Sequence, residues 1–360
     1  MMKVLMFSGD PSISEAGSPA WKRTDEYAKA LEKLEVIKFD RRDGRFMRFW
    51  KGYKDAKEIL SIEKFDLITA QEIEHSFIAW RLSKKFDIPW QMQIHTDIFS
   101  PYFVRYRVSN RARVWLAKFL IPRASGIRVV SERIKKSIHD SGFRIHDSRL
   151  VVLPIFAEQS VIVKHPMFDI KGKYPGYDFY ILMVSRLAYE KNIKLGLDVF
   201  REFIKKYPDS LLAIIGDGPL KNSLENEVKI GLEGRVIFEG WKTPEELAGY
   251  YKSADLFLIT SNYEGYGLAA MEALKSGLPV IMTNVGVAGE VVKDGENGLV
   301  APVGDRTALV GKLTEFRESK ALRDSLKANA KITPMPYNSF DEYRDKLIDS
   351  FKACIQGKLK

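Results

Sequence analysis

Short apolar runs alternate with longer amphipathic segments along nearly the whole chain, and this pattern constrains the fold more than any other feature. Such runs are typical of buried parallel strands joined by crossover helices. Six runs in the first half are predicted strands: Lys3–Ser8, Val36–Asp40, Asp66–Ala70, Trp90–His95, Gly126–Ser131 and Leu150–Ile155. Six more follow in the second half: Tyr180–Ser185, Leu211–Gly216, Arg235–Gly240, Asp255–Thr260, Pro279–Thr283 and Gly298–Ala301. At 360 residues the chain is long enough for two doubly wound α/β domains.

The segment from about Phe156 to Asp178 is predicted to link these domains, because prolines, glycines and charges interrupt its periodicity. We place an N-terminal Rossmann-like domain at residues 1–165, a C-terminal Rossmann-like domain at 166–335 and a last helical segment at 336–360. The helix predicted over Ser339–Ile355 follows a Pro-Met-Pro break. In a two-domain protein with a cleft, such a helix often returns to the first domain.

The segment Ser261–Ile281 carries the most chemical information, with the sequence SNYEGYGLAAMEALKSGLPVI. It follows an apolar run, turns at Glu264-Gly265-Tyr266-Gly267 and continues as a predicted helix that contains Glu272. The free N–H groups and the dipole at a helix start favour an anion such as a diphosphate. A carboxylate further along can accept hydrogen bonds from sugar or ribose hydroxyls. The pattern therefore predicts a site for a nucleotide that carries a sugar.

Glu264 and Glu272 resemble the E-x7-E motif of the retaining glycosyltransferases of family 4, which have the GT-B fold. The resemblance is strong over Tyr180–Val303 and weak over Met1–Ile155. It implies two Rossmann-like domains that face each other across a cleft, with the nucleotide sugar held mainly by the second.

The same resemblance assigns roles to the residues of the motif. It implies that Glu264 contacts the donor sugar near the reacting carbon and that Glu272 binds the ribose hydroxyls. The amides around Gly267 and Leu268 would hold the departing phosphate, and Tyr266 of the same turn belongs to the donor-binding residues.

A second match is the segment Val184–Asn192, with the sequence VSRLAYEKN, which resembles the "GRL…EKG" segment of the family. Arg186 and Lys191 would bracket the donor diphosphate, because a fork of donors and a point charge suit a leaving phosphate. Ser185 and Asn192 stand where the family commonly has glycine, and neither difference removes a charge. The structural alternative is a loop with two solvated cations.

Three more donor-binding residues are assigned by resemblance alone. Gly216 follows a predicted strand and Phe238 lies on the next one, where the family places the nucleobase; a loop without ligand contact is the alternative. Gly17 would let the backbone of the first loop approach the donor, while Ser18 and Pro19 look like the N-cap and first residue of a helix. None of these residues identifies the base, so the donor is expected to be a UDP- or GDP-sugar.

His95 ends a predicted strand in a His-Thr-Asp sequence, where the family often has a histidine that faces the donor sugar. A structural histidine is an equally good alternative. Ser131, at another strand end, is interpreted either as an acceptor-side contact or as a helix N-cap.

A metal site is not expected. His139-Asp140 and His146-Asp147 lack a third ligand at suitable spacing, and the chain has no Asp-x-Asp motif of the kind that holds a divalent ion in another glycosyltransferase fold. A diphosphate stabilised by Arg, Lys and helix N–H groups would need no metal and no further cofactor.

The net charge of +10 is unevenly distributed. Its whole excess lies before residue 167, and no acidic residue occurs between Asp97 and Glu132, a stretch with seven Lys and Arg residues. If Val104–Leu120 is one helix, Val104, Val108, Trp115 and Phe119 share a face beside Arg107, Arg111 and Lys118. We interpret Val104–Lys118 as a contact with an anionic membrane; a core helix with a basic outer side is the alternative.

These observations predict a metal-independent retaining glycosyltransferase that moves a sugar from a nucleotide sugar to a glycan or lipid-linked acceptor, in cell-envelope polysaccharide biosynthesis. One lone cysteine and no run of the roughly 20 apolar residues that span a bilayer fit a cytoplasmic protein, peripheral on the inner membrane face. One alternative is a GT-B-like epimerase or hydrolase of nucleotide sugars. A nucleic-acid-binding protein is another, prompted by the pI near 9.3, but it leaves the motifs of the second half unexplained.

Overall fold

The computed structural model describes residues 1–39, 44–143, 145–146, 149–157 and 168–357. The chain divides into two compact units: unit 1 contains Met1–Pro154 and Tyr337–Lys360, and unit 2 contains Ile155–Pro336. The predicted boundary at 165/166 lies outside the described residues, as do Asp40 of the second predicted strand and Asp147 of the second His-Asp pair.

Unit 1 is built on a parallel sheet of six strands in the order β2-β1-β3-β4-β5-β6. Its strands are β1 (Lys3–Ser8), β2 (Lys33–Lys38), β3 (Leu67–Gln71), β4 (Trp90–Ile94), β5 (Gly126–Val129) and β6 (Leu150–Val152). Its helices are α1 (Pro19–Lys29), α2 (Arg45–Ile62), α3 (Glu72–Phe86), α4 (Pro101–Tyr106), α5 (Val108–Leu120), α6 (Glu132–Asp140) and, at the end of the chain, α14 (Phe340–Ile355). Short 3₁₀ turns occur at Pro11–Ser14 and Ile121–Arg123.

Unit 2 is built on a second parallel sheet of six strands in the order β12-β11-β10-β7-β8-β9. Its strands are β7 (Phe179–Val184), β8 (Ser210–Ile215), β9 (Val236–Gly240), β10 (Leu256–Ile259), β11 (Val280–Thr283) and β12 (Gly298–Ala301). Its helices are α7 (Ile170–Lys173), α8 (Ile193–Phe203), α9 (Lys221–Val228), α10 (Pro244–Ser253), α11 (Leu268–Lys275), α12 (Arg306–Glu318) and α13 (Lys320–Ile332), with a 3₁₀ turn at Tyr189–Lys191.

All twelve predicted strands are confirmed, with most ends displaced by no more than three residues. The inner strands are buried on both faces, as in β8, where all six residues are buried, whereas the edge strands β2 and β9 are only partly buried. This double burial explains the continuous apolar runs in the sequence, since helices cover both faces of such a sheet. The predicted α/β class with two doubly wound domains is therefore correct.

The condition that Val104–Leu120 forms one helix is not met, because the chain breaks at Arg107 into α4 and α5. Arg107 has extended backbone angles, φ −146° and ψ 145°. The buried Asn110 side chain donates a 2.7 Å hydrogen bond to the carbonyl of Phe103 and so satisfies the end of α4. A side chain that binds the backbone in this way competes with continuation of the helix.

The predicted C-terminal helix is confirmed as α14, which belongs to unit 1 and packs against β3 and β4. The buried Gln91 donates a hydrogen bond to Ser350 Oγ over 3.2 Å, and the buried Arg128 donates one to the Tyr343 hydroxyl over 3.0 Å. These polar contacts fix the helix on the sheet. Among the described helices, none has the length and apolarity needed to cross a bilayer.

Candidate active site

The sheet of unit 2 has a topological switch point between β7 and β10. The chain passes from β7 outward to β8 and β9 and then returns to β10 on the other side of β7. Loops that follow these two neighbouring strands leave in opposite directions, and open α/β sheets bind ligands in the crevice that results. The two loops here are Ser185–Asn192 and Thr260–Gly267, which contain Arg186, Lys191 and Glu264 of the predicted donor site.

An ion pair joins the two loops. Lys191 Nζ lies 2.6 Å from Glu264 Oε1, and Ser261 Oγ donates a hydrogen bond of 2.8 Å to the same oxygen. The side chains of Lys191 and Glu264 are 22% and 12% exposed. Pairing offsets the loss of hydration for both charges. Because both side chains keep some exposure, an anionic ligand can compete for the ammonium group.

Amide and hydroxyl side chains lock the two loops together behind this pair. Asn192 Nδ2 donates to Asn262 Oδ1 over 3.0 Å, and Thr260 Oγ1 donates to the Asn192 carbonyl over 2.9 Å. Asn192 has φ +44° and caps α8 through its side chain. Asparagine tolerates this left-handed conformation better than most residues, which explains why it can stand where the family commonly has glycine.

Arg186 lies on the same loop, but its guanidinium group pairs with Glu190. The Arg186 side chain is 65% exposed and that of Glu190 is 15% exposed. Of the two predicted phosphate-binding cations, the structure thus brings Lys191 into contact with Glu264, and it places Arg186 at the exposed side of the loop. An exposed pair of this kind contributes little free energy, so an anion can also compete for Arg186.

The turn between Glu264 and α11 depends on two glycines. Gly267 is the N-cap of α11 with φ +100° and supplies no side-chain cap. Gly286, with φ +53°, packs against the turn, and a Cβ at this position would lie 2.3 Å from the Tyr266 carbonyl oxygen. The Val287 N–H donates to the same carbonyl over 2.8 Å. The start of α11, where the amides carry the positive end of the helix dipole, is thereby fixed next to Glu264.

Glu272 lies in the second turn of α11, where the Tyr251 hydroxyl donates a hydrogen bond of 2.9 Å to Glu272 Oε2. Tyr251 is 1% exposed. Its burial, together with the negative charge of Glu272, raises the pKa of Tyr251 well above its ordinary value. Tyr251 therefore stays a donor and holds the Glu272 carboxylate in a fixed orientation.

The two residues predicted for the nucleobase have clear structural roles. Gly216, with φ +131°, ends β8 so close to the loop after β7 that a Cβ would lie 1.9 Å from the Ser185 carbonyl oxygen. Phe238 pairs with Ile214 across β8 and β9, and its partly buried ring packs against the hydrophobic core of unit 2. These contacts account for both residues without a ligand, so contact with the base stays a prediction.

Unit 1 has its own switch point, between β1 and β3, and a carboxylate that the sequence did not single out lies there. Glu72 follows β3 directly with φ +63°, an uncommon conformation for a residue with a side chain. Its Oε1 lies 4.0 Å from Nδ1 of His95, which follows β4. The sequence could have indicated that Glu72 lies near His95, because both residues lie at the ends of predicted strands. The carboxyl ends of neighbouring parallel strands meet at one edge of a sheet.

Burial shifts the pKa values of Glu72 and His95 in opposite directions. It raises the pKa of Glu72 to about 7, with a further contribution from the charge of Glu74. Burial and the positive charges of Arg128 and Arg23 lower the pKa of His95 to about 3. His95 is therefore neutral at physiological pH, and its Nε2 is buried without a hydrogen-bond partner in the described part of the chain. A neutral imidazole with an unused ring nitrogen can bind a sugar hydroxyl.

Two of the remaining residues singled out in the sequence cap helices. Ser18 caps α1 by accepting a hydrogen bond of 3.0 Å from the Trp21 N–H, with Pro19 as first helical residue, as predicted. Gly17 precedes this cap as an exposed residue with φ +85°. Ser131 caps α6, which confirms the N-cap interpretation. Within residues that the structure describes, no three His, Cys, Asp or Glu side chains are grouped as metal ligands.

Comparisons with known proteins agree with this geometry. The family model "Glycosyl transferases group 1" matches residues 168–333, and the model "Glycosyl transferase 4-like domain" matches residues 20–155. The chain is 32% identical over 345 residues to the alpha-monoglucosyldiacylglycerol synthase of Acholeplasma laidlawii, a match that covers 92% of this chain and 82% of the relative.

Two solved structures show the same fold. The sucrose-phosphate synthase of Thermosynechococcus elongatus superposes with a TM-score of 0.82 at 19% identity, covering 98% of both chains. The Anabaena protein HepE in complex with UDP-glucose superposes with a TM-score of 0.73 at 20% identity, covering 98% of this chain and 100% of HepE. Family models over both units and a relative matched along most of its length lead to one conclusion: this chain belongs to the group 1 glycosyltransferases and has the GT-B fold.

Proposed function

We propose that this glycosyltransferase moves a hexosyl group from a UDP-sugar to a hydroxyl group of a lipid acceptor, with retention of the anomeric configuration and without a metal ion. The observation that carries the proposal is the Lys191–Glu264 pair beside the start of α11, at the switch point of unit 2. There a cation, helix amides and a carboxylate lie within one crevice. This combination suits a diphosphate and the sugar attached to it.

The phosphate-binding groups would act on the leaving group. Lys191 and the amides at Leu268 would hold the β-phosphate as negative charge develops on it, and Arg186 would exchange its exposed partner Glu190 for the diphosphate. Donors that are already in place stabilise such charge without reorganisation. These cations supply the positive charge that the proposal requires without a metal.

The carboxylates would bind the hydroxyl groups of the donor. Glu264 loses its partner when Lys191 moves to the phosphate, and its carboxylate then accepts hydrogen bonds from the hexose near the reacting carbon. Glu272, oriented by Tyr251, accepts from the ribose hydroxyls. Tyr266 and Gly267 shape the turn between the two acids, and Gly216 and Phe238 line the place proposed for the base.

In the transfer step, the bond between the anomeric carbon and the phosphate oxygen breaks, and its electron pair stays on the phosphate. The acceptor oxygen forms its bond to the same face of the anomeric carbon, and its proton passes to the departing phosphate oxygen. In unit 1, the neutral His95 would bind a hydroxyl of the donor sugar through Nε2, and Gly17 would let the first loop approach the donor.

The relatives support the choice of donor and acceptor. HepE was solved with UDP-glucose, and the Acholeplasma relative is named as a synthase of alpha-monoglucosyldiacylglycerol. The basic surplus of unit 1 and the exposed Val108 and Trp115 on α5 support a peripheral position on an anionic membrane at its cytoplasmic face. The proposed membrane contact includes the Val104–Lys118 surface, which is divided between α4 and α5 in the structure.

The proposal is tested by incubating the protein with UDP-glucose, UDP-galactose or GDP-mannose and dioleoylglycerol, with and without EDTA. We expect an α-linked glycolipid from a UDP-sugar, unaffected by EDTA, and a loss of at least about 100-fold in the rate for Lys191→Met. Lys194→Met is the matched control, because Lys194 pairs with Glu227 on the surface of unit 2. Equal rates for the two variants would overturn the assignment.

A further inference from the structure

An open groove lies between α2 and α3 of unit 1. Its volume is about 730 Å³, and its lining includes Phe46, Phe49, Trp50, Tyr53, Phe77 and Arg81. We call it the α2–α3 groove. Its size is that of a site for a small organic ligand, and five of the seven residues that line it are aromatic.

The groove leaves large apolar side chains in contact with water. Phe46 is 83% exposed, Trp50 is 55% exposed and Phe77 is 39% exposed. Three aromatic side chains exposed together on neighbouring helices are unlike the scattered apolar residues of an ordinary surface. Their exposure costs free energy that an apolar ligand would recover.

Cations lie at the groove and elsewhere on the two helices that form it. Lys54 Nζ lies 5.8 Å from the ring centroid of Trp50, and Lys84 Nζ lies 5.6 Å from that of Trp80. Lys57 and Lys85 face each other closely enough that the positive charge of Lys57, after the effect of desolvation, lowers the pKa of Lys85. Long basic side chains laid along aromatic rings are typical of proteins at a membrane interface.

The apolar surface continues from the groove to α5. Phe77 contacts Trp80 at 5.6 Å between ring centroids, Trp80 contacts Phe119 edge-on at 4.9 Å, and Phe119 contacts Trp115 at 6.4 Å. Trp115 is 70% exposed. Helix α5 carries no acidic residue. The groove is therefore one end of a continuous aromatic and basic surface, which is complementary to anionic lipid.

The inner wall of the groove leads to the strand ends of unit 1. The ring of Phe49 lies 5.7 Å from that of His75, and His75 packs so tightly under Gly9, after β1, that a Cβ there would lie 2.7 Å from the imidazole. His75 Nδ1 lies 2.7 Å from the carbonyl of Gln71, the residue before Glu72. A chain held in the groove would therefore have its polar end near the switch point of unit 1.

We infer that the α2–α3 groove binds an acyl chain of a lipid from an anionic bilayer. This inference rests on the proposed function for its biological meaning, since a bilayer lipid in the groove would hold unit 1 on the membrane that contains the acceptor. The basic charge around the groove argues against a second copy of the same chain, because two such surfaces would repel each other.

The first experiment measures binding to vesicles of dioleoylphosphatidylglycerol by sedimentation. Phe46→Ala/Trp50→Ala is expected to raise the lipid concentration for half-maximal binding about 30-fold or more, because two aromatic side chains lose their apolar contact. Ile62→Ala is the matched control, because Ile62 is 81% exposed at the far end of the same helix; its change should stay within about twofold. Equal effects of the two variants would overturn the inference.

The second experiment locates the acyl chain directly. Vesicles with bromine on the acyl chains quench nearby tryptophans, and the exposed Trp115 on α5 belongs to the same surface. In a Trp115→Phe background we therefore expect strong quenching of the protein, most of which is lost on adding Trp50→Phe and retained on adding Trp241→Phe. Quenching that persists in Trp50→Phe would contradict the inference. A dimer that is seen by sedimentation equilibrium in the absence of lipid, and that Trp50→Ala abolishes, would also contradict it. If the proposed function is wrong, the wild type will not bind UDP, although the quenching by brominated lipid will remain. Failure of the proposed function can therefore be distinguished from failure of this inference.

Discussion

Substituting the two partners of the Lys191–Glu264 pair should change the affinity for UDP in opposite directions. In the ligand-free protein the ammonium group lies 2.6 Å from the carboxylate. Binding of the diphosphate has to take Lys191 from Glu264, and the remaining carboxylate repels the phosphates. Glu264 therefore opposes binding of the nucleotide, although it is expected to be essential for transfer of the sugar.

The magnitude follows from the burial of the pair. With exposed fractions of 22% and 12%, it lies between a surface pair and a buried pair, so opening it costs about 1–3 kcal/mol. Glu264→Gln removes most of this cost, and we expect UDP to bind about 5- to 100-fold more tightly. Lys191→Met removes a charge-assisted hydrogen bond and leaves the carboxylate, so UDP should bind about 10- to 100-fold more weakly.

The assay is calorimetric titration of UDP into each variant at one ionic strength, because exposed charges are screened by salt. The double variant Lys191→Met/Glu264→Gln closes a thermodynamic cycle and should bind more tightly than Lys191→Met alone. If Glu264→Gln weakened UDP binding, or if Lys191→Met left it unchanged, the diphosphate would not compete for this lysine.

Three further predictions follow from the same site and from unit 1. Asn192→Ala should lower the free energy of unfolding by about 2 kcal/mol, and Asn192→Gly should lower it less, because only glycine and asparagine accept φ +44° readily. Urea titrations measure both losses, and equal losses would contradict this prediction. Gly286→Ala should lower the free energy of unfolding by about 2–4 kcal/mol and weaken UDP binding, because its Cβ would meet the Tyr266 carbonyl oxygen. Gly289→Ala is the control, because its Cβ would meet open space and should cost about 1 kcal/mol. Glu72 has its pKa raised to about 7, so it contributes stability that is present below about pH 4.5 and lost as the pH rises to 7. His95 has its pKa lowered to about 3, so it contributes stability that is present above about pH 6.5 and lost toward pH 3. The two oppose each other between about pH 4.5 and 6.5, so the free energy of unfolding of Glu72→Gln should rise more steeply with pH there than that of the wild type; an unchanged slope would show that Glu72 titrates normally.

The fold could be predicted from the sequence because each strand of a doubly covered parallel sheet is a continuous apolar run. The runs at Lys3–Ser8 and Gly298–Ala301 were predicted with the observed ends. The break at Arg107 could not be predicted, since it depends on the buried contact of Asn110 with the Phe103 carbonyl. A local pattern of apolar residues carries no information about such a contact.

The candidate site was predictable as far as its residues follow strand ends. Glu264 and Lys191 lie in loops that follow predicted strands, and His95 ends a predicted strand. Glu72, which was not singled out, also follows a predicted strand. The pairing of Lys191 with Glu264 joins residues 73 positions apart, and it requires the strand order of unit 2. That order places β10 beside β7, and short sequence patterns do not record it.

The α2–α3 groove shows a different limit of sequence analysis. Aromatic residues on a helix normally predict a buried face, so Phe46 and Trp50 gave no signal of exposure. Only the structure shows that their rings remain in water and that α3 completes the groove. The basic surplus of the first half did indicate the kind of surface to expect, although not its place on the fold.

A crystal structure of the protein with UDP-glucose is the decisive test of the proposed donor site. We expect the diphosphate at the start of α11 with Lys191 Nζ on a phosphate oxygen, and the hexose within hydrogen-bonding distance of Glu264. A nucleotide bound elsewhere, with Lys191 and Glu264 still paired to each other, would contradict it.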